Sequence, residues 1–209
     1  MKAPVKSVIL ASLLMVSPAV GQDWSLHTST LKKSVFRLES NEGKCSAVLV
    51  NEKDSYTLTV GHCISEKAEG RSVAVDSKHA EVVKFNAVLD LTVLKVPEIH
   101  GTQVLLRKEE VLSGLPVSVA GYGFAASRLK FGFGWVSDVR DDSLRGVGDR
   151  LYFSAAGVVP GDSGGAVVDL AGRLVTVVQG AIFAGPASLG YGAPTDVIED
   201  FLKPFQPKP

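Results

Sequence analysis

The stretch VVPGDSGGAVV, residues 158–168, sets Ser163 inside a run of Pro, Gly and Asp between two valine-rich segments. Two readings fit it. Gly, Pro, Asp and Ser build tight connections in any β protein. The same types at the same spacing also suit acyl transfer, in which the serine hydroxyl attacks a carbonyl and flanking glycines let backbone N–H groups approach the oxyanion. The GxSxG spacing alone does not separate the two. A hydroxyl is a weak nucleophile at neutral pH, so the second reading requires a base within reach and a third group to orient it.

Four histidines are available, His27, His62, His79 and His100, and all precede Ser163. That order excludes the α/β-hydrolase arrangement, in which the histidine follows the serine. It fits the subtilisin arrangement poorly and leaves His, then Asp, then Ser on a β scaffold. His62 follows the strand-like YTLTV and adjoins Cys63, which makes it the base candidate. The other three lie in polar or loop-like surroundings and read as turn or surface histidines. Asp90 interrupts the apolar stretch 87–94. A carboxylate among such neighbours is costly unless it is paired. An imidazole N–H would satisfy it, fix the tautomer and stabilise the imidazolium; the plainer alternative is an exposed turn aspartate like Asp54 or Asp76.

Those side chains need elements to position them. Short β-type runs fall at 34–38, 47–50, 57–60, 72–75, 91–96, 116–120, 134–139, 151–153, 166–168 and 174–178, with Gly, Asp, Asn and Pro between them. Such punctuation is typical of a sandwich or barrel. Helical periodicity first emerges at 195–202, where Thr195 or Asp196 is placed to cap and Val197, Ile198, Phe201 and Leu202 share one side. The expected fold class is all-β with a short C-terminal helix. A lobe boundary within 104–115 divides the chain into an N-terminal lobe of about 30–108, a C-terminal lobe of about 109–195 and the helix at about 195–202.

Residues 1–21 carry Lys2 and Lys6, an apolar core over 8–16 and the small-residue end Ala19-Val20-Gly21. This is the layout of a secretory signal peptide cut before Gln22. The apolar core is too short to span a bilayer. The residue after the cut is Gln22 and not a Cys that could carry a lipid, so a soluble mature chain of residues 22–209 without a membrane anchor is expected, secreted or periplasmic. Export makes Cys45 and Cys63 candidates for one disulfide, with a hairpin between them. Closing that loop would add roughly 3 kcal/mol. Zinc is the rival reading, because His62 adjoins Cys63, but no second ligand pair stands at metal spacing, so no metal is assigned.

The chain of 209 residues is 45% apolar and 21% charged, an ordinary globular balance. Lys plus Arg number 22, as do Asp plus Glu, so no net field favours nucleic acid or an anionic membrane. No cofactor is implied.

Taken together, TVGHC at 59–63, LDLTVL at 89–94, VAGYG at 119–123 and GDSGG at 161–165 resemble the chymotrypsin/trypsin-like serine protease family, in the family's order and across nearly all of the mature chain. Residues 155–178 are also similar to the bacterial trypsin-like and HtrA-type proteases. The resemblance implies two six-stranded antiparallel β-barrels with the active site in the cleft between them. It implies His62 as general base and acid, Asp90 as the orienting acid and Ser163 as nucleophile. Backbone N–H groups of Gly161 and Ser163 would form the oxyanion hole, a contribution of a few kcal/mol. Protein or peptide substrates follow.

Departures from the family pattern matter too. Activated members begin at a hydrophobic new amino terminus; here the corresponding sequence is LKKSVFRLES, without Ile-Val-Gly-Gly. The bond between Lys33 and Ser34 offers a basic cleavage site, yet the expected enzyme needs no such activation or obtains it differently. That leaves Asp162 without an assigned partner, since the matching Asp of zymogen-type members pairs with the new terminus. No PDZ domain is expected after the β-rich part. Gly157, six residues before Ser163, stands where trypsin-like enzymes carry an Asp. Without that charge little would hold Lys or Arg. Gln179, Gly180 and Ala181 read as the strand lining the same pocket, and a small or apolar preference is expected. Residues 123–135 mix aromatics, glycines and basic residues; a nucleic-acid stacking platform is one reading, and a hairpin beside the cleft is the one adopted. From other function classes, a silent pseudoprotease serving as a binding module and an esterase of the same fold stay open at this point. Oligomeric state is not legible.

Overall fold

The structure is a computed structural model that describes residues 24–64, 73–141, 149–155, 157–184 and 187–206. The signal-peptide reading of 1–21 lies outside the described residues.

After a short helix, α1 (Trp24–Leu31), the chain forms β1 (Val35–Ser40), β2 (Gly43–Asn51), β3 (Tyr56–Thr59), β4 (Val73–Val75), β5 (Lys78–Asn86) and β6 (Leu91–Lys95). These close into an antiparallel barrel in the order β1-β2-β3-β6-β5-β4, with β4 returning to β1 through the Leu38–Val75 pair. The second lobe contains β7 (Pro116–Gly121), β8 (Lys130–Asp141), β9 (Asp149–Ala155), β10 (Ala166–Asp169), β11 (Leu174–Val177), β12 (Gly180–Ala184) and β13 (Ala187–Gly192). Its sheet runs β11-β10-β7-β8-β9-β13-β12.

The chain itself joins the two edges of that sheet. Only Val178 and Gln179 separate β11 from β12. The Val178 N–H donates to the Gly165 carbonyl at 2.9 Å, whereas the Gln179 N–H donates to the Tyr191 carbonyl at 2.9 Å. One broken strand therefore crosses from the β10 edge to the β13 edge. With β11 and β12 as the two halves of one strand, the seven hydrogen-bonded segments form the second, half-barrel sheet.

Strand periodicity explains why the runs are apolar on both faces. Side chains alternate across a strand. On β10, Ala166 and Val168 join the core of the first barrel, while Val167 joins the core of the second lobe. On β11 an irregularity in the pairing opposite Val167 and Val168 interrupts the alternation, so that Leu174 and Val177 join the first core and Val175 the second. The lobes thus share a seam rather than merely touching.

Two strands, β5 and β13, and one helix stand outside the expected elements, and β12 runs beyond the expected 179–181. The sequence of β5, KHAEVVKFN, has a single fully buried side chain, Ala80, so its apolar signal is weak. β12 and β13, GAIFA and ASLGYG, are rich in small residues that carry little strand preference. α1 lacks an apolar stripe, although Leu31 is buried. α2 (Thr195–Leu202) forms over the expected span and buries Ile198, Phe201 and Leu202. Neither Thr195 nor Asp196 caps it: the N-cap is Pro194, and the Thr195 hydroxyl donates to the Val175 carbonyl at 2.6 Å.

Candidate active site

Ser163 sits just before β10, in a turn that two β elements grip. The Ser46 N–H of β2 donates to the Ser163 carbonyl at 2.8 Å, and the Gly164 N–H donates to the Val178 carbonyl at 2.7 Å. Gly164 has φ +79° and no room for a Cβ, which would overlap the Ser46 carbonyl and the Thr59 hydroxyl. Only glycine suits both conditions. Ser163 is thereby fixed by the first barrel as well as by its own lobe.

His62 lies in a single 3₁₀ turn, Gly61–Cys63, directly after β3. Its neighbour Cys63 is disulfide-bonded to Cys45 of β2, with the Cα atoms 6.3 Å apart. Both cysteines are consumed in that bond, which removes them from the zinc reading. The Ser40 hydroxyl donates to the Cys63 carbonyl at 2.6 Å, adding a second restraint.

Asp90 ends the turn between β5 and β6 and adopts φ +51°, a left-handed conformation that Asp tolerates better than most residues. The turn is set by the Asn86 side chain, which accepts from the Leu89 N–H at 2.9 Å. Apolar burial does not surround this carboxylate: Val88 is 77% exposed and the Asp90 side chain 29%. Its position is specified by the turn and by His62, whose backbone N–H donates to Oδ1 at 2.7 Å. Gly61 keeps the approach open, since a Cβ there would meet Oδ1 at 3.2 Å.

The three side chains meet. His62 Nδ1 is 2.9 Å from Asp90 Oδ2 and 3.1 Å from Oδ1, and Nε2 is 3.1 Å from Ser163 Oγ. An ionised carboxylate can only accept, so Nδ1 carries the proton and Nε2 presents a lone pair to the hydroxyl. With its side chain 48% exposed, the imidazole is open to solvent and to an incoming substrate.

Gly161 has φ +97°, and a Cβ there would crowd the Tyr122 carbonyl at 2.9 Å. Its own carbonyl accepts from the Ser46 hydroxyl at 3.0 Å. The carbonyl before it, of Pro160, accepts from the Phe124 N–H at 2.6 Å. A planar trans peptide then turns the Gly161 N–H away from Phe124. Among the described residues, neither the Gly161 nor the Ser163 N–H donates to another group.

The other expected positions divide. Gly157 has φ +80° and open space where a side chain would stand. The Gln179 side chain is committed elsewhere: its amide donates to the carbonyls of Leu89 at 2.6 Å and Asp90 at 3.2 Å, tying the second lobe to the Asp90 turn. Gly180 opens β12, where the Tyr191 hydroxyl occupies the place of its missing side chain. Ala181 follows it and packs against the second core.

Sequence reasoning missed Ser46, whose buried hydroxyl also accepts from the Tyr122 N–H at 2.9 Å. The signal was a lone hydroxyl within the otherwise apolar run of β2. It also missed Lys130, which pairs with Asp162 and donates to the Gly157 carbonyl.

The chain matches the trypsin-like peptidase domain family over residues 45–177. No curated protein sequence matches it. Among solved structures it is similar to the Rv3671c protease from M. tuberculosis in its active form, at 20% identity and a TM-score of 0.72, covering 100% of this chain and 96% of that one. It is similar to the serine endoprotease from Yersinia pestis at 21% identity and a TM-score of 0.71, covering 88% and 67%. It is also similar to the HtrA-type protease AlgW with decapeptide, at 21% identity and a TM-score of 0.71, covering 86% and 66%. At these identities the structural likeness is one of fold.

Proposed function

The chain belongs to the trypsin-like peptidase family and is a serine protease by that membership, and we propose that it cleaves peptide bonds through an acyl-enzyme on Ser163. The observation that carries this reading is the continuous contact from Asp90 through His62 to Ser163, with Nε2 at 3.1 Å from Oγ. Ser163 Oγ attacks the scissile carbonyl carbon as its proton passes to His62 Nε2. Asp90, on Nδ1, stabilises the imidazolium. The oxyanion is taken by the N–H groups of Gly161 and Ser163. His62 then protonates the leaving amine, and water repeats the sequence to release the acid and restore the hydroxyl.

The chain is exported after removal of 1–21, and the Cys45–Cys63 bond supports an oxidising destination outside the cytoplasm. Residues 22–209 form the protease, its lobes divided at about 104–115. The favoured side chain before the scissile bond is small or apolar, because Gly157 offers space and no charge. The mature chain acts without a new amino terminus at Ser34.

Labelling with a fluorophosphonate probe, mapped by mass spectrometry, tests the nucleophile. Ser163 is expected to carry the label and Ser163→Ala to carry none, with turnover lost by roughly 10⁵–10⁶-fold. A folded protein that takes no label would instead be a latent enzyme awaiting activation or the binding module. Faster cleavage after Arg than after Ala, Val or Leu would overturn the pocket assignment. An active species beginning at Ser34 or Val35 would overturn the unprocessed form.

A further inference from the structure

Asp162 is fully buried one residue before the nucleophile, where a carboxylate is costly unless it is paired. Its partner is Lys130, at the start of β8, whose ammonium contacts Oδ2. Oδ2 also accepts from the Val159 N–H at 2.9 Å. Oδ1 has no hydrogen-bond partner among the described residues and lies against Gly121 and Gly123, where a Cβ would meet it at 2.7 and 2.8 Å. Among the described residues, Lys130 is the one cation that pairs with this buried carboxylate.

We infer that Lys130 is a positioning residue for catalysis: by pairing with Asp162 it holds the 157–163 loop with the Gly161 and Ser163 amides free, in place of a newly cut amino terminus. The inference rests on the acyl-transfer reading of Ser163. Lys130 bridges both ends of the loop, because the same ammonium contacts Asp162 and the Gly157 carbonyl. Its stem crosses Gly123, where a Cβ would overlap it, next to the Phe124 N–H that fixes the Pro160 carbonyl. The lysine and the donor that turns the Gly161 peptide thus pack as one unit. Without the ammonium, Asp162 would be a buried lone charge. Its relief is to take up a proton or to swing out, and either one gives up the ammonium bridge to the Gly157 carbonyl that holds the loop before Ser163.

The alternative supply of an ammonium is closed off. Ser34 is fully buried at the entry to β1 and its carbonyl accepts from the Leu49 N–H at 2.8 Å. The Lys33 carbonyl accepts from the Thr102 N–H at 3.0 Å, and Gly101 packs directly upon it. Cutting that bond and withdrawing Ser34 would dismantle the first barrel.

The test measures labelling by the fluorophosphonate and turnover of a chromogenic peptide ending in Ala or Val, on full-length protein. Lys130→Met is expected to lose about a hundredfold or more in kcat with KM little changed, the effect of losing an oxyanion donor. In Lys130→Cys, 2-bromoethylamine alkylates the thiolate with loss of bromide and rebuilds an ammonium of lysine length. The site is accessible, since the Lys130 side chain is 34% exposed. Activity should return with that adduct and not with the neutral ethyl adduct. Recovery with both, or with neither, overturns the role of the charge. If Lys130→Met does not fold, Lys130→Met/Asp162→Asn leaves no lone buried charge, and wild-type kcat in that protein overturns the inference. A wild type that takes no label overturns the acyl-transfer reading and this inference with it. One that labels while folded Lys130→Met matches its kcat overturns this inference alone.

Discussion

Asp90 does two things for His62 that a different side chain could do only in part. It accepts from the backbone N–H, which places the residue, and from Nδ1, which sets the tautomer. Asn at this position keeps an acceptor for the backbone but also offers an N–H₂ group and loses the charge. In Asp90→Asn, Nδ1 can be held in the wrong tautomer and the imidazolium goes unsupported. The expected outcome is a fall in kcat of about 10⁴ at neutral pH, with a thermal midpoint within a few degrees of the wild type. The turn is kept by Asn86 and by the Gln179 amide on the Leu89 and Asp90 carbonyls, neither of which needs the carboxylate. A kcat reduced less than tenfold would remove Asp90 from the machinery.

At the scale of elements, the site is held by β2 more than by any strand of the second lobe. β2 contributes Cys45 to the disulfide beside His62, and Ser46 reaches three positions around Ser163: the carbonyls of Gly161 and Ser163 and the N–H of Tyr122. Gly164 is the contact point on the other side. Gly164→Ala demands a left-handed backbone of a residue with a Cβ and drives that Cβ into the Ser46 carbonyl. Together these are expected to cost about 3–5 kcal/mol. Urea unfolding followed by circular dichroism measures it. Loss of labelling should accompany the loss of stability, since the only escape is a shift of Ser163. A variant as stable as the parent would show that the β2 seam does not hold the turn.

For the whole molecule, the connection between lobes is tied down by charge. Asp169, buried at the end of β10, accepts from Arg107 of the connection at 2.7 Å and from the Arg173 guanidinium at 2.9 Å. The Ala171 and Arg173 N–H groups donate to its other oxygen at 2.9 and 3.0 Å. Burial alone would raise this carboxyl, but the Arg173 backbone N–H, the two guanidinium groups and the Ala171 N–H together hold it below the ordinary range. A depressed carboxyl contributes stability above its unfolded pKa of about 3.9, and that contribution is lost as the pH falls through its lower folded value. Unfolding free energy measured by denaturant from pH 6 down to pH 2 should therefore decline more gently in Asp169→Asn than in the wild type. Parallel curves would mean that Asp169 does not link the lobes to pH.

Much of this was legible in the linear chain. The order His62, Asp90, Ser163 is a matter of residue identity, and ten of the strands carry dense apolar runs that local preference makes extended. The weakly patterned β5 and β13 and the full length of β12 were not legible, because their pairing comes from neighbours rather than from their own side chains. The apolar neighbours of Asp90 in the chain suggest burial, whereas a left-handed turn places it. The Gln179 side chain donates to the Leu89 and Asp90 carbonyls of that turn, a contact that the residue's place in the chain does not announce. Residue types and spacing determined which groups could do chemistry. Only the tertiary structure decided which of them meet: Ser163 reaches His62 across 101 residues, and Lys130 reaches Asp162 across 32. Such contacts depend on how two lobes close over a shared seam, and no local backbone preference encodes that closure.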